Sequence, residues 1–152
     1  MEKAKGKEFT IYTDGAARGN PGPSASGFII TDKDGNEIYR KSIYNGIKTN
    51  NFAEYNAMIK ALEWCESNME NPEGMELKFI SDSELVVNQL NGRYKIRSAE
   101  MAELNSTVKE LAKWFKSVKF INRRRSDSGI SAVDKGLNEL LDKREKRVNK
   151  KF

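Results

Sequence analysis

The stretch Tyr12–Ile30, YTDGAARGNPGPSASGFII, sets one aspartate into a run of small and turn-forming residues between two apolar segments of β type. Just upstream, EFTIYTDG alternates, with Phe9, Ile11 and Thr13 on one face and Thr10, Tyr12 and Asp14 on the other, which predicts a strand ending at Asp14. Downstream, ASGFIITDKDGNEIYRKSI predicts two strands joined at Asp34-Gly35, a favoured hairpin turn. Strands disfavour aspartate, and the small residues after Asp14 let a ligand come close to the backbone. An acid in that position asks for a partner.

Beyond the hairpin the period changes. From about Phe52 to Met69, Met58, Leu62, Cys65 and Met69 recur at helical spacing. MELKFISD predicts a short apolar strand, SELVVNQLNG a short helix closed by Gly92, and Ala99–Phe115 a longer helix burying Met101, Leu104, Val108, Leu111 and Phe115. SVKFIN predicts the fifth strand, and Ala132–Val148 the last helix. The pattern, written βββαβαβα, is an antiparallel meander followed by βαβ units. It implies an α/β fold with a mixed five-stranded sheet and helices on both faces.

The 152 residues suit one domain, with a basic tail from about 143 to 152. The single Cys65 excludes an internal disulfide, and with no histidine present a zinc site or a thiol catalyst is disfavoured. No apolar run approaches the ~20 residues of a membrane span, and MEKAKGKEFT lacks the apolar stretch of a signal peptide. A reducing, cytoplasmic setting without membrane contact is the expectation, with a monomer needing no protein partner. The net charge of +5 lies wholly in KREKRVNKKF, Lys143–Phe152, where six basic residues face one acid. Such a tail suits either a solvated helix end or a polyanion contact.

Four acids sit where the predicted elements begin or end. Asp14 ends the first strand, Glu54 falls in the first turn of the first helix, Asp82 ends the fourth strand, and Asp134 opens the last helix. Singly, Asp82 reads as an N-cap, and Glu54 and Asp134 as acids complementing helix dipoles. Together, four converging carboxylates would repel one another unless protonated or neutralised by a cation. All-oxygen ligands select hard ions such as Mg²⁺ or Mn²⁺, and two such ions about 3.5–4 Å apart are a known arrangement for phosphodiester hydrolysis.

The motifs YTDGAARGNPGPSASG, KTNNFAEYNAMIKAL, ISDSELVVNQLNGRYKI and AVDKGLNELLD follow one another in the order and spacing of a known family. Over about Phe9–Asp142 the chain resembles type 1 ribonuclease H, in the compact branch that lacks the basic protrusion. The resemblance implies a metal-dependent endonuclease that cuts the RNA strand of an RNA–DNA hybrid with two Mg²⁺ or Mn²⁺ ions. It implies Asp14, Glu54, Asp82 and Asp134 as catalytic, metal-binding acids, with Asp14 shared between the ions. It also implies hybrid contacts at Asn20, Pro21, Thr49, Asn50, Asn51 and Glu84. An asparagine amide both donates and accepts, which suits an RNA 2′-hydroxyl. Plain turn chemistry and helix capping are the alternative for these positions.

The chain departs from the family pattern in four places. NRRRSDSGIS occupies the loop where many members carry a histidine, leaving Arg124, Arg125, Asp127 or nothing to stand in for it. Ile130 stands where asparagine is common, and Glu84 where glutamine is common. The lysine-rich protrusion has no room, so the terminal KREKRVNKK is the candidate for gripping the hybrid. Two further readings keep the fold: a DNA-directed nuclease of the same superfamily, or a module that binds hybrid or RNA without cutting. Trp114, beside Phe115, is expected in the core.

Overall fold

A computed structural model describes residues 7–151. The alternation around Asp14 forms β1, Glu8–Ala17. It continues past Asp14 because Asp14, Gly15, Ala16 and Ala17 go on pairing with Gly27, Ser26, Ala25 and Ser24. That partner is β2, Gly22–Asp32, followed by β3, Glu37–Lys48. At the hairpin the Asp32 carboxylate accepts from the backbone N–H of Asp34 and of Asn36, both at 2.9 Å, and Gly35 takes φ +85°. With β4, Glu76–Ser81, and β5, Ser117–Asn122, the sheet order is β3-β2-β1-β4-β5. β1 runs antiparallel to β2 and parallel to β4, so the expected mixed five-stranded sheet is present.

The helices are α1, Asn50–Asn68, α2, Glu84–Leu90, α3, Ala99–Ala112, and α4, Ser128–Lys151. The order is βββαβααβα: both helices expected between the fourth and fifth strands form, separated where the chain turns at Gly92 (φ +75°) and restarts at Ser98, which caps α3, so the shorthand βββαβαβα counts the two as one. Three helix starts differ from expectation. Thr49 caps α1, its hydroxyl accepting from Phe52 N–H at 3.1 Å, so Glu54 lies in the second turn rather than the first. Ser83, not Asp82, caps α2, and Asp82 stands just past the end of β4. Asp127 caps α4 by accepting from Gly129 N–H at 2.9 Å and Ile130 N–H at 3.2 Å, so Asp134 lies nearly two turns into its helix rather than opening it.

Helices cover both faces of the sheet. α1, α2 and α3 bury Met58, Leu62, Val87 and Val108 against Ile11, Phe28, Ile30, Leu77 and Phe79. α4 lays Val133, Leu137 and Leu141 against Ala25 and Ile29 on the other face. Each such side chain removed from water contributes roughly 1.5–3 kcal/mol. β2 is covered on both faces, which explains its unbroken apolar run Gly27–Ile30. Trp114 departs from expectation: α3 stops at Ala112, the helical phase is lost, and the indole is 59% exposed. Trp64 instead stacks on Tyr39 at 4.4 Å. No helix among the described residues is long and apolar enough to cross a membrane.

Candidate active site

Parallel pairing brings the first two acids together. Tyr12 is the register partner of Ile80, so two residues on, Asp14 and Asp82 emerge side by side on neighbouring strands. The third acid arrives with α1, which crosses β1 so closely that a Cβ on Gly15 would collide with the Ala53 carbonyl carbon and the Glu54 nitrogen. Ser26, the register partner of Gly15, holds that crossing by donating its hydroxyl to Ala53 O at 2.7 Å. Asn45 donates to the Ser26 hydroxyl and Asn56 to the Asn45 carbonyl. As a result Asp14, Glu54 and Asp82 each offer an oxygen within 4.8 Å of the others.

Asp134 stands beside this trio. Arg125 links them, with Nε 3.8 Å from Asp82 Oδ2 and Nη2 3.6 Å from Asp134 Oδ1. Asn138, one turn on in α4, donates to Asp134 Oδ2 at 3.2 Å and accepts from Arg18 at the same distance. Asn138 carried no signal in the sequence, because its partner Arg18 lies 120 positions away. Asp127, proposed above as a stand-in for histidine, is occupied by the amides it caps. Ile130 is fully buried.

The electrostatics are those of a site built for positive charge. Burial, and then the charge of Asp82, push the Asp14 carboxyl up to about 7. Burial, then Asp14, raise Glu54 well above the carboxylate range. Asp82 is raised by burial and partly restored by Arg125. Asp14 Oδ2 and Glu54 Oε2 are buried and have no hydrogen-bond partner. Orphaned buried carboxylate oxygens are costly. A hard divalent cation satisfies both at once, and three carboxylates at this spacing fit one.

The loops flanking the acids are tied together. Asn20 Oδ1 accepts from Asn50 N–H at 3.0 Å, and Asn50 Oδ1 accepts from Ala17 N–H at 2.9 Å. Both acceptor oxygens therefore serve the fold, which leaves the amide N–H groups as the outward function of these exposed residues. Pro21, after a cis peptide bond, is exposed beside Asn20. Asn51 donates to Met101 Sδ at 3.7 Å. Glu84 accepts from the Tyr94 hydroxyl at 2.7 Å, and this contact raises the phenol.

The RNase H family profile matches residues 6–143, nearly the whole chain. The chain belongs to the type 1 RNase H family. Among its relatives, the ribonuclease HI of Halobacterium salinarum is 33% identical over 142 residues, covering 93% of this chain and 64% of that protein. A bifunctional protein of Mycobacterium tuberculosis is 32% identical over 138 residues, covering 89% of this chain and 36% of that protein. The chain thus spans less than two thirds of these relatives' length. Among solved RNase H structures, the Halobacterium salinarum RNase H1 superposes with a TM-score of 0.82 at 31% identity, over 90% of this chain and 98% of that one. An RNase H1 isolated from compost, in complex with an RNA/DNA hybrid, gives 0.83 at 37% identity over 89% and 97%. The RNase H fold and family are settled by these matches.

Proposed function

We propose that this chain, acting as one unit over residues 1–152, hydrolyses the RNA strand of RNA–DNA hybrids with two divalent ions, Mg²⁺ or Mn²⁺. The observation that carries the reading is the trio Asp14, Glu54 and Asp82, the first two buried and the third half-buried, with two orphaned oxygens and Asp134 alongside. These four acids are the ones that would hold the ions. Bound there, the ions supply Lewis-acid activation of water and neutralise charge developing on the phosphate and leaving oxygen. The hybrid-bound compost RNase H1 supports the substrate class.

The chain's own residues orient the substrate. Asn20 and Asn50, whose carbonyl oxygens are engaged, present N–H donors to backbone or 2′-hydroxyl oxygens of the RNA strand. Pro21, Thr49 and Asn51 flank them in the chain, and Glu84, at the start of α2 and accepting from Tyr94, is the further contact to the hybrid in this reading. Arg125, already between Asp82 and Asp134, is placed to pass from those carboxylates to a phosphate.

The experiment is a hybrid labelled on either strand, incubated with Mg²⁺ or Mn²⁺ beside DNA and RNA duplex controls. Cleavage confined to the RNA strand of the hybrid is expected. Equal cutting of a DNA duplex would install the DNA-directed alternative, and tight binding without cutting the binding-module one.

A further inference from the structure

The C-terminal third of α4 sorts its charges by face. Among the described residues of the helix Leu141 is the last buried one, and Asp142 to Asn149 are all exposed. At about 100° per residue, Asn138, Asp142 and Glu145 share one side. Arg18 occupies that side, with Nη2 2.8 Å from Asp142 and Nη1 2.8 Å from Glu145. Lys143, Lys146 and Arg147 follow at i, i+3 and i+4, which lines them along a different side. Among the described ion pairs, none joins a tail acid to a tail cation, although Asp142 and Lys146 have the right spacing.

A helix end that only needs solvation mixes its charges and pairs them along its length. Here Asp142 and Glu145 are neutralised from the body, and on the outer side Lys143, Lys146 and Arg147 have no acid among them, the exposed Glu139 lying one turn before. The helix dipole rewards cations only within the last turn, and this stripe extends over more. The stripe is also held in place. Arg18 fixes one side, and Arg144 lies 3.9 Å from the centre of the Tyr44 ring on β3. Asp134 is bonded to Asn138, on the Arg18 side, so the cationic side is turned away from the acid cluster.

We propose that this cationic face of α4 is a docking surface for the phosphate backbone of double-stranded nucleic acid, separate from the acid cluster. It extends the nucleic-acid reading of the site but does not depend on cleavage there. Three cations spaced along about 6 Å of helix neutralise phosphates without reading bases. An anionic lipid surface is the weaker partner. An interfacial helix needs an apolar face, and between Asp142 and Lys151 the only large apolar side chain is Val148. Docking there keeps the protein on a duplex and raises the local concentration of substrate at the acids.

The test uses the full chain in EDTA, so that nothing is cut, with a labelled DNA duplex, a labelled hybrid and phosphatidylserine vesicles over a range of salt. In K143Q/K146Q/R147Q the slope of log affinity against log salt is expected to fall by up to about 2.7, at 0.9 per phosphate contact, with at least ~10-fold weaker duplex binding at low salt. K146Q/R147Q should lose about two thirds as much slope, which keeps the test open if the threefold variant fails to fold. An unchanged slope, a parent that binds neither duplex, or loss confined to vesicles overturns the docking surface. A parent that loses duplex binding on neutralisation yet cleaves no hybrid with Mg²⁺ leaves the surface standing and removes the catalytic reading. A parent that cleaves hybrid with an unchanged slope does the reverse.

Discussion

At the residue scale, Asp14 concentrates the trade between stability and function. Its carboxyl is held at about 7 in the fold, against 3.8 unfolded, so the folded state binds the proton more tightly. The associated stability is fully present below pH ~4 and is lost as pH rises through ~7. Without metal, Asp14→Asn should therefore stabilise the protein by about 1–3 kcal/mol at pH 8, with the gain vanishing near pH 4. Denaturation in EDTA at the two pH values reads this. The same variant should lose at least ~10³-fold in hybrid cleavage, and near-normal cleavage would remove Asp14 from the catalytic set. Asp127 and Asp134 should separate cleanly. Asp127→Ala removes a helix cap and costs about 1 kcal/mol of stability while sparing kcat. Asp134→Asn should abolish most cleavage and leave the melting temperature nearly unchanged. Arg125→Ala withdraws a cation that competes for Asp82 and Asp134, so calorimetry should show tighter Mg²⁺ binding by a few-fold; weaker binding would mean that the guanidinium organises the acids rather than competing.

At the element scale, the seat of α1 on β1 decides where Glu54 points. Ser26→Ala removes the hydroxyl that holds Ala53 O and leaves Asn45 with a lost acceptor, for about 1–2 kcal/mol of stability. Mg²⁺ affinity should fall with it, and a variant that loses stability alone would show Glu54 to be placed by other contacts. Period and turn chemistry made the strands and the hairpin legible in the sequence. Helix starts were less so, because the capping residues Thr49 and Asp127 are polar and precede the apolar pattern by several positions. The acids showed themselves at element ends, but their convergence needed the parallel pairing of β1 with β4, which no local pattern states. The tie from Arg18 through Asn138 to Asp134 joins distant residues without a motif, and was illegible for that reason.

At the scale of the whole molecule, folding and ion binding are linked. Ions that bind only the folded state add about 2.7 kcal/mol at a hundredfold excess over Kd. Because protons compete for Asp14 and Glu54, the melting temperature should rise with Mg²⁺ more at pH 8 than at pH 5. An equal rise at both would place the ions elsewhere. One placement governs how this site is lost. β1 lies at the centre of the sheet, hydrogen-bonded to β2 on one side and β4 on the other. Its amides cannot reach solvent by fraying, so deuterium uptake at Tyr12 and Thr13 should proceed only as fast as the whole chain opens. The outer turns of α4 beyond Leu141 should exchange far sooner. A protein arranged this way fails all at once: as denaturant is raised, the acids stay assembled until the cooperative transition, and the proposed hybrid cleavage is expected to end with the last intact molecule rather than fade before it.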